Sequence, residues 1–93
     1  MVILDARNIM SHWVYILECS NHSYYTGYTT DLERRYQEHC QGSPKCKYTR
    51  AFKPVKIAGS WYFEDKSAAL KFECAVKKLS RAKKEALLSS LRL

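Results

Sequence analysis

Short apolar runs separated by polar breaks set the element pattern of this chain. Trp13-Val14-Tyr15-Ile16-Leu17 is a run of β-forming residues and predicts a strand. Ser20-Asn21-His22-Ser23 has turn character, and Tyr24 to Thr29 predicts a second strand, so the two form a hairpin. The parity of the loop decides the geometry. An odd loop, taken here as Asn21 to Ser23, sets Leu17 opposite Gly27 and places Tyr15 and Tyr25 on one face of the sheet. An even loop would separate them.

A helix follows. Thr30 with Glu33 three residues on has the form of a capping box, Asp31 suits the first turn, and Gly42 after Gln41 is a stop signal. The apolar stripe expected on this helix is Leu32, Tyr36 and Cys40. At about 100° per residue, Arg35 and His39 share one edge of it and Arg34 points to solvent. Gly42 to Pro54 reads as a loop rich in cations and rings. Val55 to Phe63 predicts a third strand, interrupted around Gly59-Ser60. A helix opened by Asp65 or Ser67 has Ala68, Ala69, Phe72, Ala75, Val76 and Leu79 as its expected buried stripe, with Glu73 beside it and Lys77 four residues on. A last helix is expected from about Ser80 to Leu91. The order β-β-α-β-α-α gives an α+β fold, a small, mainly antiparallel three-stranded sheet flanked by helices. The expected organisation is an N-terminal tail over residues 1–11 and one domain over 12–91.

Charge sharpens the question of partners. Sixteen Lys and Arg stand against nine Asp and Glu, a formal charge of +7. Such a field attracts polyanions, and nucleic acid comes first because phosphate contacts dominate its affinity. No segment approaches a membrane span and the first ten residues lack the basic and apolar runs of a signal peptide, so no membrane role is expected. The four cysteines, Cys19, Cys40, Cys46 and Cys74, show no CxxC spacing. Zinc is therefore not expected, and scattered thiols without a secretory signal fit a reducing cytoplasm.

Five residues stand at compatible positions for phosphodiester chemistry: Tyr15 and Tyr25, with Gly27 beside them, Arg35 and His39 one helical turn apart, and Glu73 on a later helix. A carboxylate can hold a divalent cation, a guanidinium can stabilise charge on phosphorus, and a phenol or imidazole can take a proton from water. Each has an ordinary structural reading: a tyrosine in a strand is more often core, Arg35 could pair with Asp31, and Glu73 with Lys77. The combination is what carries weight, and it predicts that two phenols, a guanidinium, an imidazole and a carboxylate converge on one cleft.

Those residues resemble the GIY-YIG nucleases, named for two strand motifs. The first appears as Trp13-Val14-Tyr15 and the second as Tyr25-Thr26-Gly27. Arg35 falls at the position of the family's essential arginine, His39 at that of its following His or Tyr, and Glu73 at that of its metal-binding glutamate. Tyr48-Thr49-Arg50 ahead of Pro54 adds to the likeness, which spans about Trp13 to Leu88 and points to the small stand-alone bacterial branch. Three departures stand out. Trp13 replaces the first motif's glycine, Thr26 the second motif's isoleucine, and Tyr28 the lysine that some repair members carry. The resemblance implies an endonuclease hydrolysing phosphodiester bonds of DNA, in repair or recombination, with one divalent cation, Mg²⁺ or Mn²⁺, on Glu73. Arg35 would contact the scissile phosphate, and Tyr15, Tyr25 and His39 would position or deprotonate water. The base among them is left open, with Tyr15 first if it lies nearest the metal. Gly27, Lys45, Lys47, Tyr48, Arg50 and Lys77 are the expected substrate contacts, with DNA ahead of RNA and a protein partner not excluded. The alternative is a nucleic-acid-binding module that keeps the fold without cutting.

Overall fold

The computed structural model describes residues 11–91; residues 1–10, and with them nearly all of the tail expected over 1–11, lie outside the described residues. The elements are β1 (His12–Cys19), β2 (Tyr24–Thr29), α1 (Leu32–Gln41), α2 (Lys47–Ala51), β3 (Pro54–Phe63), α3 (Lys66–Lys77) and α4 (Arg81–Ser89). The three strands form one antiparallel sheet in the order β2-β1-β3, with β1 at its centre.

The hairpin has an odd turn, but its centre falls at Asn21 rather than His22. Cys19 N–H bonds to the Ser23 carbonyl (2.9 Å) and His22 adopts the left-handed conformation (φ 67°). The register therefore sits two residues from the expected one: Tyr15 pairs with Gly27 and Leu17 with Tyr25. A slip of two leaves the faces unchanged, so Tyr15 and Tyr25 still share one. On the other side of β1 the pairing jumps from Ile16–Gly59 to Leu17–Ile57, leaving Ala58 as a bulge next to the predicted interruption.

Side-chain alternation along β1 builds two cores. Tyr15, Leu17 and Cys19 face α1, packed with Tyr25, Leu32, Tyr36 and Ile57. Ile16 faces α3 and α4, packed with Phe72, Val76, Leu87 and Leu88. The sheet is thus the middle of three layers, covered on both faces.

Local chemistry explains the helix limits and several departures from expectation. Asp31, not Thr30, caps α1. Its carboxylate accepts from Arg34 N–H (3.1 Å), while Thr29 Oγ1 accepts from Asp31 N–H. Gly42 closes α1 at φ 73°, a conformation that costs glycine little. Cys40 is exposed and His39 takes the inward position, because the face of α1 that meets the sheet runs through Leu32, Arg35, Tyr36 and His39. The segment expected as a loop contains the five-residue helix α2, which has no side-chain cap and is anchored instead by buried Cys46 and Thr49. On α3, capped by Asp65, the inward residues are Ala69, Phe72 and Val76, with Leu79 just past its end; Ala68 and Ala75 lie exposed on the outer side. Ser80 caps α4, which ends at Ser89, two residues short of the expected Leu91.

Candidate active site

Tyr15 comes from the central strand, and its ring leans over its cross-strand partner Gly27. A Cβ at Gly27 would overlap the Tyr15 hydroxyl and ring, so the absence of a side chain there is what lets the phenol lie flat. Gly27 is itself buried beneath the Tyr15 ring. From α1, His39 brings its Nε2 to 2.8 Å from the Tyr15 hydroxyl. Its Nδ1 lies 2.7 Å from Thr49 Oγ1 on α2, and Thr49 in turn bonds to the Cys46 carbonyl (3.3 Å). Arg35, one turn before His39, donates to Glu38 Oε1 (2.9 Å) and stands near enough to the Tyr15 phenol for its charge to act on it.

The direction of the protons in this chain follows from its far end. A carbonyl only accepts, so Thr49 donates to the Cys46 carbonyl and accepts from His39 Nδ1–H. The neutral ring then carries no proton on Nε2, which accepts from the Tyr15 hydroxyl. The tautomer of His39 is therefore assigned by the network.

Electrostatics agree with that arrangement. Burial, ahead of the nearby Arg35 charge, pulls the His39 pKa down to about 4, so the ring is neutral at physiological pH. Burial also pushes the Tyr15 phenol well above its ordinary range, even though the nearby Arg35 guanidinium opposes the rise. Burial works against the Arg35 charge, but Glu38 first and the Tyr15 phenol next outweigh it and hold its pKa up. Glu38 is held below the usual carboxylate range by its bond to Arg35.

Tyr15 and His39 are fully enclosed. The phenol of this cluster that reaches the surface is Tyr25. Its half-buried ring lies 5.2 Å from His39 and 6.5 Å from Tyr15, centroid to centroid. Tyr48 stacks on its other side (5.7 Å, 22°), bonds to Ser23 Oγ, and continues to Phe52 (5.3 Å). Lys45, Lys47 and Arg50 are exposed around this ladder of rings.

Tyr15, Tyr25, Arg35 and His39 thus meet on one face of the sheet. Glu73 does not join them by any hydrogen bond or ion pair among the described residues. It is carried by α3, the helix that covers the Ile16 face, and its half-buried carboxylate pairs with Lys77 (3.2 Å). Strand alternation sends α1 and α3 to opposite faces of the sheet. Arg35 pairs with Glu38 rather than Asp31, whose carboxylate is occupied as the helix cap. Two participants were not singled out by the sequence reading. Thr49 lies within a stretch noted only for likeness, and Glu38 stands at the i+3 position from Arg35, where a helix partner is to be sought.

Comparison with known proteins adds a direct result. A family model described as the GIY-YIG catalytic domain matches residues 11–86. A UPF0213 protein of Halalkalibacterium halodurans is 50% identical over 80 residues, which cover 86% of this chain and 84% of that protein. A UPF0213 protein of the archaeon Halobacterium salinarum is 51% identical over 76 residues, covering 82% and 97%. Among solved structures, the solution structure of an Enterococcus protein (E. faecalis) matches with a TM-score of 0.61 at 41% identity, covering 88% of this chain and 86% of that one.

Proposed function

The chain belongs to the GIY-YIG nuclease family, and from that premise we propose that it is a divalent-metal-dependent endonuclease that hydrolyses phosphodiester bonds of DNA. The observation that carries this reading is the fixed Arg35 guanidinium beside the Tyr15 hydroxyl, with Tyr25 open to solvent above the same buried network.

Arg35 binds the scissile phosphate, which takes over the place that Glu38 holds in the free protein. Tyr25, the phenol that reaches the surface, gives its own proton to solvent and as the phenolate orients the attacking water and takes a proton from it. The water oxygen forms the new P–O bond, a bridging P–O bond breaks, and the departing oxygen takes a proton from solvent. Tyr15 is a poor base here, because its proton is committed to His39 and burial favours the neutral phenol. Together with His39 and Thr49, it keeps the wall behind Tyr25 and Arg35 rigid.

Glu73 fits the metal-binding role expected of it. It is a half-buried carboxylate whose present counter-charge is Lys77 (3.2 Å). One carboxylate suits a Mg²⁺ or Mn²⁺ ion that keeps most of its waters. When bound, such an ion supplies Lewis-acid stabilisation of the phosphate and the leaving oxygen.

The test is plasmid nicking by the wild type, Arg35→Ala and Glu73→Ala, in Mg²⁺, Mn²⁺ and chelator. Metal-dependent nicking lost in both variants is the expected result. Salt-sensitive DNA binding without cleavage by any of the three would overturn it in favour of a binding module.

A further inference from the structure

A second concave feature lies away from the catalytic cluster, between the β1–β2 turn and the corner where α3 meets α4. It is a cleft of about 580 Å³, with His22 and Tyr24 on one wall and Arg81 and Lys84 on the other. The cations at this corner differ in how they are balanced. Arg81 is fixed over the Tyr24 ring (4.6 Å to the centroid) and pairs with Glu85 (3.4 Å). Lys77 pairs with Glu73. Lys84 is half-buried, lines the cleft, and has no carboxylate within ion-pair distance among the described residues. Burial holds its pKa below the ordinary lysine range, against an opposing pull from Tyr48 and with a smaller push from Lys77. A partly desolvated charge without a counter-ion destabilises a free protein and invites an anion.

The opposite wall carries strain of its own. His22 is the sole non-glycine residue at positive φ among the described residues, in a position that glycine or asparagine would occupy more easily. The turn it belongs to also links the two sites. Ser23 lines the cleft and bonds to Tyr48, which stacks on Tyr25.

We propose that this cleft binds a phosphodiester group of the nucleic-acid substrate, one outside the scissile position, with Lys84 as its counter-charge and Arg81 beside it. A strand leaving Tyr25 passes over Tyr48, crosses the β1–β2 turn and enters the cleft. This rests on the nucleic-acid reading above and adds a contact that the catalytic cluster does not supply.

The experiment measures oligonucleotide anisotropy with the full chain in chelator, where binding is read without cleavage, over a range of KCl. Wild type, Lys84→Met, Lys84→Arg and Lys83→Met are compared on one labelled duplex, with melting temperatures alongside. Losing one phosphate contact makes the slope of log K against log salt shallower by about 0.9. That change is expected for Lys84→Met, with a melting temperature equal to or above wild type. Lys84→Arg and Lys83→Met are expected to keep the wild-type slope. An unchanged slope and affinity in Lys84→Met would overturn the cleft while leaving the nuclease reading intact. Absence of any binding by wild type would instead remove the nucleic-acid reading itself, and the cleft proposal with it. Inorganic phosphate tests the other source of the same chemistry: if at millimolar concentration it raised the melting temperature of wild type but not of Lys84→Met, while the duplex bound both with the same slope, the site would serve a free anion and the proposal would fail.

Discussion

The Tyr15 hydroxyl meets His39 Nε2 at 2.8 Å, and neither side chain reaches solvent. Removing that hydroxyl leaves a buried ring nitrogen without its donor. Tyr15→Phe is expected to lose about 1–3 kcal/mol of stability, read from urea unfolding. Tyr25→Phe is expected to unfold within about 0.5 kcal/mol of wild type, as a change at a partly exposed site, yet to lose about a hundredfold or more in nicking rate. A Tyr25→Phe protein that cut normally would reassign the water-orienting role.

Thr49 sets the protonation of His39 from behind. Wild type is expected to carry the imidazole proton on Nδ1, visible in the ¹⁵N shifts and long-range couplings of the ring. Thr49→Val takes away the acceptor and is expected to cost about 1–3 kcal/mol and to disturb that tautomer. Thr49→Ser is expected to restore both. An Nε2–H ring in wild type would reverse the proton direction derived for the network.

Acid should destabilise the fold through His39. Its folded pKa of about 4 lies below the unfolded value near 6.5, so the unfolded chain binds more protons between them. The stability is fully present above about pH 6.5, declines as pH falls through that window, and changes no further from this group below about 4. The loss is at most about 3 kcal/mol. Tyr15 acts in the opposite sense. Its raised folded pKa means that its contribution is lost as pH rises above about 10. Chemical unfolding from pH 4 to 11 should show a plateau between those limits, and His39→Gln should flatten the acid limb.

Gly27 and Tyr15 are coupled by contact. Gly27→Ala is expected to cost about 1–3 kcal/mol, because its methyl falls where the Tyr15 ring end lies. The double variant Gly27→Ala with Tyr15→Leu should be more stable than additivity predicts, since the shorter side chain removes the overlap. Strict additivity in a thermodynamic cycle would rule out this steric account.

The strands and the long helices were legible because β1 and β2 carry dense β-formers and α1 has its stop at Gly42. Parity, and so the shared face of Tyr15 and Tyr25, followed from an odd turn. The turn's centre did not, since His22 in a left-handed conformation is not what local preference favours. Helix α2 was hidden for a related reason. Five residues without a side-chain cap are held by burial of Cys46 and Thr49 against α1, and that stabilisation is tertiary. Cys40 was placed inward by periodicity alone, but the polar site turns α1 so that His39 is buried instead. The face on which α3 packs could not be read from helix periodicity, which shows which side of a helix is apolar but not which face of a sheet it meets.

The adjacency of Tyr15 and Ile16 on one strand has a consequence for how such a protein diversifies. One neighbour belongs to the chemical layer and the next to the α3–α4 layer, and the two communicate through a single shared backbone. The α3–α4 corner, Glu73 apart, can therefore be remodelled while the Tyr15–His39–Thr49 network stays untouched. A single-residue insertion within β1 would do the reverse and scramble both at once.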